Sequence, residues 1–227
     1  MKANKQTPEY WDLWNLDGTY AGIMQRGDRM IPPDQYHVTV EIIPTDGKGY
    51  MLITKRSIQK ANGGGLFEFP AGSVKAGEQP DAAALRELKE ETGLDAEALQ
   101  KITESFVPGM KRCIYIAVIP DLTSKQIALR KNETEGFLFV TMKKWHRIIG
   151  GGLFEQTRLK MYDQTVYEQM EAVVGLPQKE EQDAPQPRKR TVINSILITP
   201  EPIVNDEEQE GSYAEQQDHS ISVSTAT

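Results

Sequence analysis

Apolar and polar positions along residues 36–174 follow two periods that alternate with one another. Residues 36–44 (YHVTVEIIP) and 50–56 (YMLITKR) are rich in β-branched and aromatic side chains, and the TDGKG between them supplies turn residues, so the two read as paired strands. Residues 67–70 read as a short strand that enters a loop. Residues 80–92 read as a helix, because Pro80 and Asp81 suit its first turn and Gly93 the position past its last. Beyond it, 112–120 (RCIYIAVIP) and 137–141 (FLFVT) read as strands, and 143–149 and 154–174 carry helical patterns. Interleaved strands and helices of this kind place the chain in the α/β class.

The helix at 80–92 has an unusual polar face. At about 100° per residue, Glu87, Glu90 and Glu91 share an arc of about 100°, while Leu85 and Leu88 point the other way. A solvated face interleaves lysines, because like charges one turn apart cost roughly 0.2–0.5 kcal/mol per pair. Only Arg86, one turn before Glu90, offers relief. An exposed acidic patch is the plain alternative. Clustered carboxylates suit Mg²⁺, a hard ion that takes oxygen ligands and is completed by water and substrate phosphates.

Gly72, Glu78, Arg86-Glu87-Leu88, Glu90-Glu91 and Gly93-Leu94 resemble the Nudix box at every fixed position. The resemblance covers 36–174 and implies an α/β/α sandwich whose mixed sheet lies between helices. It further implies that Glu87, Glu90 and Glu91 ligate a divalent metal together with the Gly72 carbonyl, that Arg86 orients the carboxylates, and that Glu78 holds the preceding loop or binds a further metal. Mg²⁺ is the expected ion and Mn²⁺ the alternative. The reaction implied is hydrolysis of a nucleoside diphosphate linked to a group X, with no covalent intermediate. Members of the family often add a glutamate from a loop before the later strands. Glu133 and Glu135 stand in such a loop, two residues apart, so an extended segment points both the same way.

Substrate cues divide. Residues 68–72 (EFPAG) resemble the stretch before the box in ADP-ribose pyrophosphatases, and Pro108 stands near the place where those enzymes carry a proline. Residues 52–57 (LITKRS), with Gly65 and Phe69-Pro70, partly resemble the motif of coenzyme A pyrophosphatases, but Ala61 replaces its second arginine. Arg56, Phe69 and Pro108 are the substrate-contact candidates that follow, with ADP-ribose or a nucleotide sugar first and coenzyme A next. Residues 10–57 also resemble Nudix proteins related to isopentenyl-diphosphate isomerase. The catalytic cysteine of those enzymes has no counterpart in residues 67–72, and His37 is either an imitation of their metal histidine or a packed strand histidine. A nucleotide-binding module with secondary catalysis is the reading from a different class.

Charge and composition set the outer limits. Residues 176–227 carry four Lys or Arg against ten Asp or Glu, so six of the seven net negative charges belong to them. Rich in Glu, Gln, Ser and Pro, with Tyr213 as the single aromatic, this tail is expected to be disordered, since it cannot bury enough apolar surface to offset its ordering entropy. Within it, 187–200 (PRKRTVINSILITP) joins a basic cluster to a β-prone run and is a candidate for a docked peptide or an added strand. The domain expected is 36–175, with 1–35 as an extension packed on it. The apolar runs are too short to span a membrane, the first residues lack a secretory h-region, and a lone Cys113 suits a buried thiol in a cytoplasmic protein. No basic stripe marks a duplex nucleic-acid partner; a small nucleotide is the expected one. Trp11, Trp14 and Tyr20 remain open between base stacking, a homodimer contact and core packing.

Overall fold

The computed structural model describes residues 8–28 and 30–175. Its spine is β3 (Gln35–Thr45), whose run of apolar and β-branched residues is buried over ten of eleven positions. β8 (Gly109–Val118) lies parallel to it from Tyr36↔Gly109 to Thr45↔Val118, and β6 (Ala71–Ser73) lies antiparallel with Val40 opposite Gly72. β4 (Met51–Arg56) joins at Thr45↔Met51 and carries β5 (Phe67–Glu68) and β9 (Thr134–Val140), while β7 (Ala98–Val107) flanks β8. The sheet is therefore mixed.

Period-2 alternation in β3 and β8 divides the core. Val38, Val40, Ile42, Cys113, Tyr115 and Ala117 face α1 (Pro80–Thr92) and its Ala83, Ala84 and Leu88. Ile43, Ile114 and Ile116 face the opposite way, against Trp145 of α2 (Met142–Gly150) and Val166, Met170 and Val174 of α4 (Gln164–Val174). Helices cover both faces of the sheet, the α/β/α sandwich expected. α1 has the ends its sequence predicts: Pro80 opens it, and Gly93, at φ 76°, closes it with its N–H on the Lys89 carbonyl.

Three features differ from the sequence reading. Residues 154–174 are not one helix: a short α3 (Gln156–Leu159) is separated from α4, where Asp163 accepts from the Val166 N–H and caps a new start. The break lets Met161 and Tyr162 turn into the core. Residues 10–25 form a hairpin, β1 (Tyr10–Asn15) and β2 (Tyr20–Gln25), and β1 pairs with β3 at Trp14↔Tyr36. β7 was also unanticipated, since ALQKITESFV is an edge strand with mostly exposed, polar positions. Among the described residues no helix is long and apolar enough to cross a membrane. The tail 176–227, with its candidate docking segment 187–200, lies outside the described residues.

Candidate metal and diphosphate site

β6 brings Gly72 against α1, and the loop of residues 74–79 returns the chain to the start of that helix. Arg86 ties the loop to the carboxylates. Its Nε and Nη2 donate to the two oxygens of Glu78, each at 2.8 Å, Nη2 also reaches the Ser73 carbonyl at 3.0 Å, and Nη1 donates to Glu87 Oε1 at 2.6 Å. Glu78 further accepts from the Lys75 N–H at 2.9 Å. Burial would raise the Glu78 pKa, but the hydrogen bonds from Arg86 and Lys75 outweigh it and hold this carboxyl below its ordinary value. Arg86 thus links the Glu78 loop to Glu87 through its hydrogen bonds to both carboxylates.

The three acids of the α1 face sit in different surroundings. Glu87 is buried, and burial pushes its pKa up despite Arg86. Glu91 is buried too, and its Oε2 has no hydrogen-bond partner among the described residues. Burial first, then the neighbouring charges of Glu68 and Glu87, raise it to about 8. Glu90 is exposed and turned to cations: Arg130 Nη1 at 3.2 Å, Arg86 at 3.7 Å and Lys75 at 3.9 Å.

A buried ionic network that the sequence reading missed supports this face from below. Glu41, 0% exposed, accepts from Arg112 at 3.0 Å, Arg158 at 3.3 Å and the Tyr162 hydroxyl. Arg158 of α3 also donates to Glu68 and, at 3.2 Å, to the Phe69 carbonyl. One guanidinium thus clamps the start of the segment Glu68–Gly72, whose Gly72 packs against Glu87. Glu41 was legible as the one acid in β3; Arg158 had no comparable signal.

The substrate-contact candidates fall elsewhere. Arg56 spends its guanidinium on Glu68, at 2.9 and 3.2 Å, and on the Asn62 carbonyl at 3.0 Å. Phe69 is sealed in the core between Trp145 and Phe154, which leaves its ring no face for a ligand. Pro108 lies in the turn between β7 and β8, beside Gly109 opposite Tyr36, four strand positions or about 13 Å from the level of Val40 and Gly72. Glu133 and Glu135 take different partners. A register shift where β4 meets β9 leaves Glu135 as an extra residue between Arg56↔Thr134 and Lys55↔Gly136, which breaks the two-residue alternation. Glu135 turns to Lys55 at 3.0 Å and the Ile58 N–H at 3.2 Å. Glu133 instead shares Arg130 with Glu90, at 3.6 Å.

His37 stacks on Trp11 with ring centroids 4.2 Å apart, and burial lowers its pKa to about 4, so it is a packed strand histidine. Cys113 is buried on the α1 face of the sheet and burial raises its pKa to about 11, far from the thiolate an isomerase would need.

No three acidic, histidine or cysteine groups among the described residues already converge as a finished ligand cage. The donor set still fits a hard divalent cation. Glu87 and Glu91 are buried with raised pKa values, so the cations now beside them do not offset burial, Glu91 Oε2 has no partner among the described residues, and Glu90 is held by exchangeable surface cations.

A family model for the NUDIX domain matches residues 35–155. An uncharacterised Nudix hydrolase of Listeria monocytogenes is 27% identical over 150 residues, 64% of this chain and 88% of that protein. An RNA pyrophosphohydrolase of Marinomonas and an ADP-ribose pyrophosphatase of Bacillus subtilis are each 40% identical over 73 residues, 32% of this chain and 42% and 38% of theirs. The chain thus spans less than half of these two. The solved structure of DR0079 from Deinococcus radiodurans superposes with a TM-score of 0.56 at 18% identity, over 68% of this chain and 100% of that one.

Proposed function

The chain belongs to the NUDIX family of pyrophosphate-bond hydrolases, and on that premise we propose that it cleaves the diphosphate of a nucleoside diphosphate linked to X in a Mg²⁺-dependent reaction. The observation that carries this reading is the face of α1, where Glu87 and Glu91 are buried beside Gly72 and Glu91 Oε2 is left without a partner. ADP-ribose or a nucleotide sugar is the first substrate class. The match to an ADP-ribose pyrophosphatase supports it, and coenzyme A comes next on the partial motif at 52–57. The single buried cysteine supports a cytoplasmic setting.

Glu87, Glu90, Glu91 and the Gly72 carbonyl would hold Mg²⁺ or Mn²⁺, which supplies polarisation of the diphosphate oxygens and a water acidic enough to attack near neutral pH. The chain's own groups do the rest. Arg86 keeps Glu87 and the Glu78 loop in one arrangement, so the carboxylates are positioned before substrate arrives. Lys75 and Arg130, now on Glu90, are free to move to a phosphate oxygen once Glu90 takes another partner. Glu133, linked to Glu90 through Arg130, is the candidate we assign to accept the proton of the attacking water.

The test is a Mg²⁺ hydrolysis screen over ADP-ribose, nucleotide sugars, coenzyme A, dinucleoside polyphosphates, nucleoside triphosphates and 5′-triphosphorylated RNA, with products identified by mass. One class is expected to give a mononucleotide and the phosphorylated X group, and Glu90→Gln to abolish it. Tight nucleotide binding without turnover of any class would replace this reading with that of a nucleotide-binding module.

A further inference from the structure

The hairpin β1–β2 precedes residue 35, where the NUDIX match begins, and it docks on the box loop. The Ala76 N–H donates to the Tyr10 carbonyl at 2.8 Å, and the Gly77 N–H to Asp12 Oδ2 at 2.7 Å. Beside these two bonds the hairpin and the loop enclose a cavity of about 440 Å³. Three aromatic rings wall it: Trp14 and Tyr20 meet edge to face at 5.7 Å, and Tyr36 lies under the Lys111 ammonium at 5.8 Å. Core packing does not explain Tyr20, which is 53% exposed.

The chemistry of the walls selects the occupant. Glu78 is already held by Arg86 and Lys111 by Glu104 at 3.3 Å, while Asp12 pairs with no cation among the described residues, so the lining offers a phosphate no free positive charge. Flat rings invite a planar, uncharged heterocycle, and Asp12 Oδ1, without a hydrogen bond among the described residues, is free to accept from an exocyclic amino group. Position agrees with this. Glu78 borders the cavity while its carboxylate holds Arg86, which holds Glu87, so one ion pair separates the cavity from the acidic face. From Pro80 at the cavity to Glu87, α1 rises about 10 Å, comparable to an extended nucleoside diphosphate.

We propose that this cavity seats the amino-bearing nucleobase of the substrate, with Trp14 and Tyr20 as stacking residues and Asp12 as the acceptor. The inference rests on the nucleotide-hydrolase reading and deepens it: base choice is made by a hairpin outside the matched domain.

The full chain is titrated with adenosine and uridine in the absence of metal, and the best nucleotide substrate is then compared with 5-phosphoribosyl 1-diphosphate, which has the diphosphate but no base. Adenosine is expected to bind more tightly than uridine and to compete with substrate. Trp14→Leu and Tyr20→Leu each weaken adenosine about tenfold or more, the loss of one stacked base. The same variants raise KM for the nucleotide by a similar factor with kcat within about twofold, and leave the base-free diphosphate unchanged. Equal losses on both substrates would place the residues' effect in the box loop and overturn the proposal, as would undiminished adenosine binding by both variants or noncompetitive inhibition. Half-exposed Tyr20 carries the test should Trp14→Leu fail to fold. Adenosine binding needs no turnover, so a chain that binds it through Trp14 yet hydrolyses nothing rejects the hydrolase reading and keeps the cavity.

Discussion

The carboxylate of Glu87 occupies the space in which a side chain at Gly72 would stand: a Cβ there would lie 2.0 Å from Glu87 Cδ and 2.1 Å from Oε1. The glycine is required for room. Gly72→Ala is therefore expected to push Glu87 out of line and lower kcat at least about tenfold, with roughly 1–3 kcal/mol lost from overpacking in urea unfolding. Normal turnover by this variant would mean that Glu87 need not sit where it does.

Glu91 couples stability to function. Its pKa is about 8 in the folded chain against an ordinary 4.5, so between those values the folded state binds a proton that the unfolded state has released. Stability without metal accordingly falls as pH rises from about 4.5 to about 8. Glu91→Gln removes that slope and is expected to raise Tm by a few degrees at pH 8 in EDTA while lowering kcat by about 10²-fold or more. A variant that melts with the parent's pH slope would place the titration on another group.

Glu90, exposed and facing Arg130, carries no comparable burial cost. Glu90→Gln should leave Tm nearly unchanged and still reduce kcat by at least about 10²-fold on the best substrate. Near-normal rates would take the α1 carboxylates out of the catalytic account.

Glu133 and Glu135 separate by partner. Glu133→Gln is expected to lower kcat about 10²–10⁴-fold with Mg²⁺ and substrate binding retained, because Glu133 alone of the pair shares Arg130 with Glu90. Glu135→Gln breaks a half-exposed pair with Lys55 and should change little. If both single variants and the double variant run at the parent rate, the base lies in the box and Glu78 is next.

Removing the Arg158 guanidinium leaves Glu41 and Glu68 buried with fewer partners. Arg158→Met is expected to cost about 3–5 kcal/mol in denaturant unfolding, the penalty of an uncompensated buried charge. A loss under about 1 kcal/mol would show that Arg112, Arg56 and Tyr162 satisfy the two acids alone.

The sequence by itself determined the elements whose signals are local. Pro80, Asp81 and Gly93 set the ends of α1, and runs of β-branched and aromatic residues set β3, β4 and β8, because each depends on neighbours within a turn or a strand, whereas the contrast of an acidic face with a buried leucine face does not hold, since Glu87 and Glu91 are buried and Leu85 is exposed. What depends on distant neighbours was not legible. A register shift across β4 and β9 leaves Glu135 without an opposite residue, the partners of Glu41 come from β8 and α3, and the Asp12 that docks on Gly77 stands 65 residues earlier in the chain. Phe69 shows the limit most plainly, since its neighbours along the chain suggested a substrate loop while Trp145 and Phe154, brought by the fold, bury its ring. Local backbone preference and side-chain period act within a few residues; burial, charge pairing and the cavity beside Trp14 exist only once segments far apart in sequence are packed together.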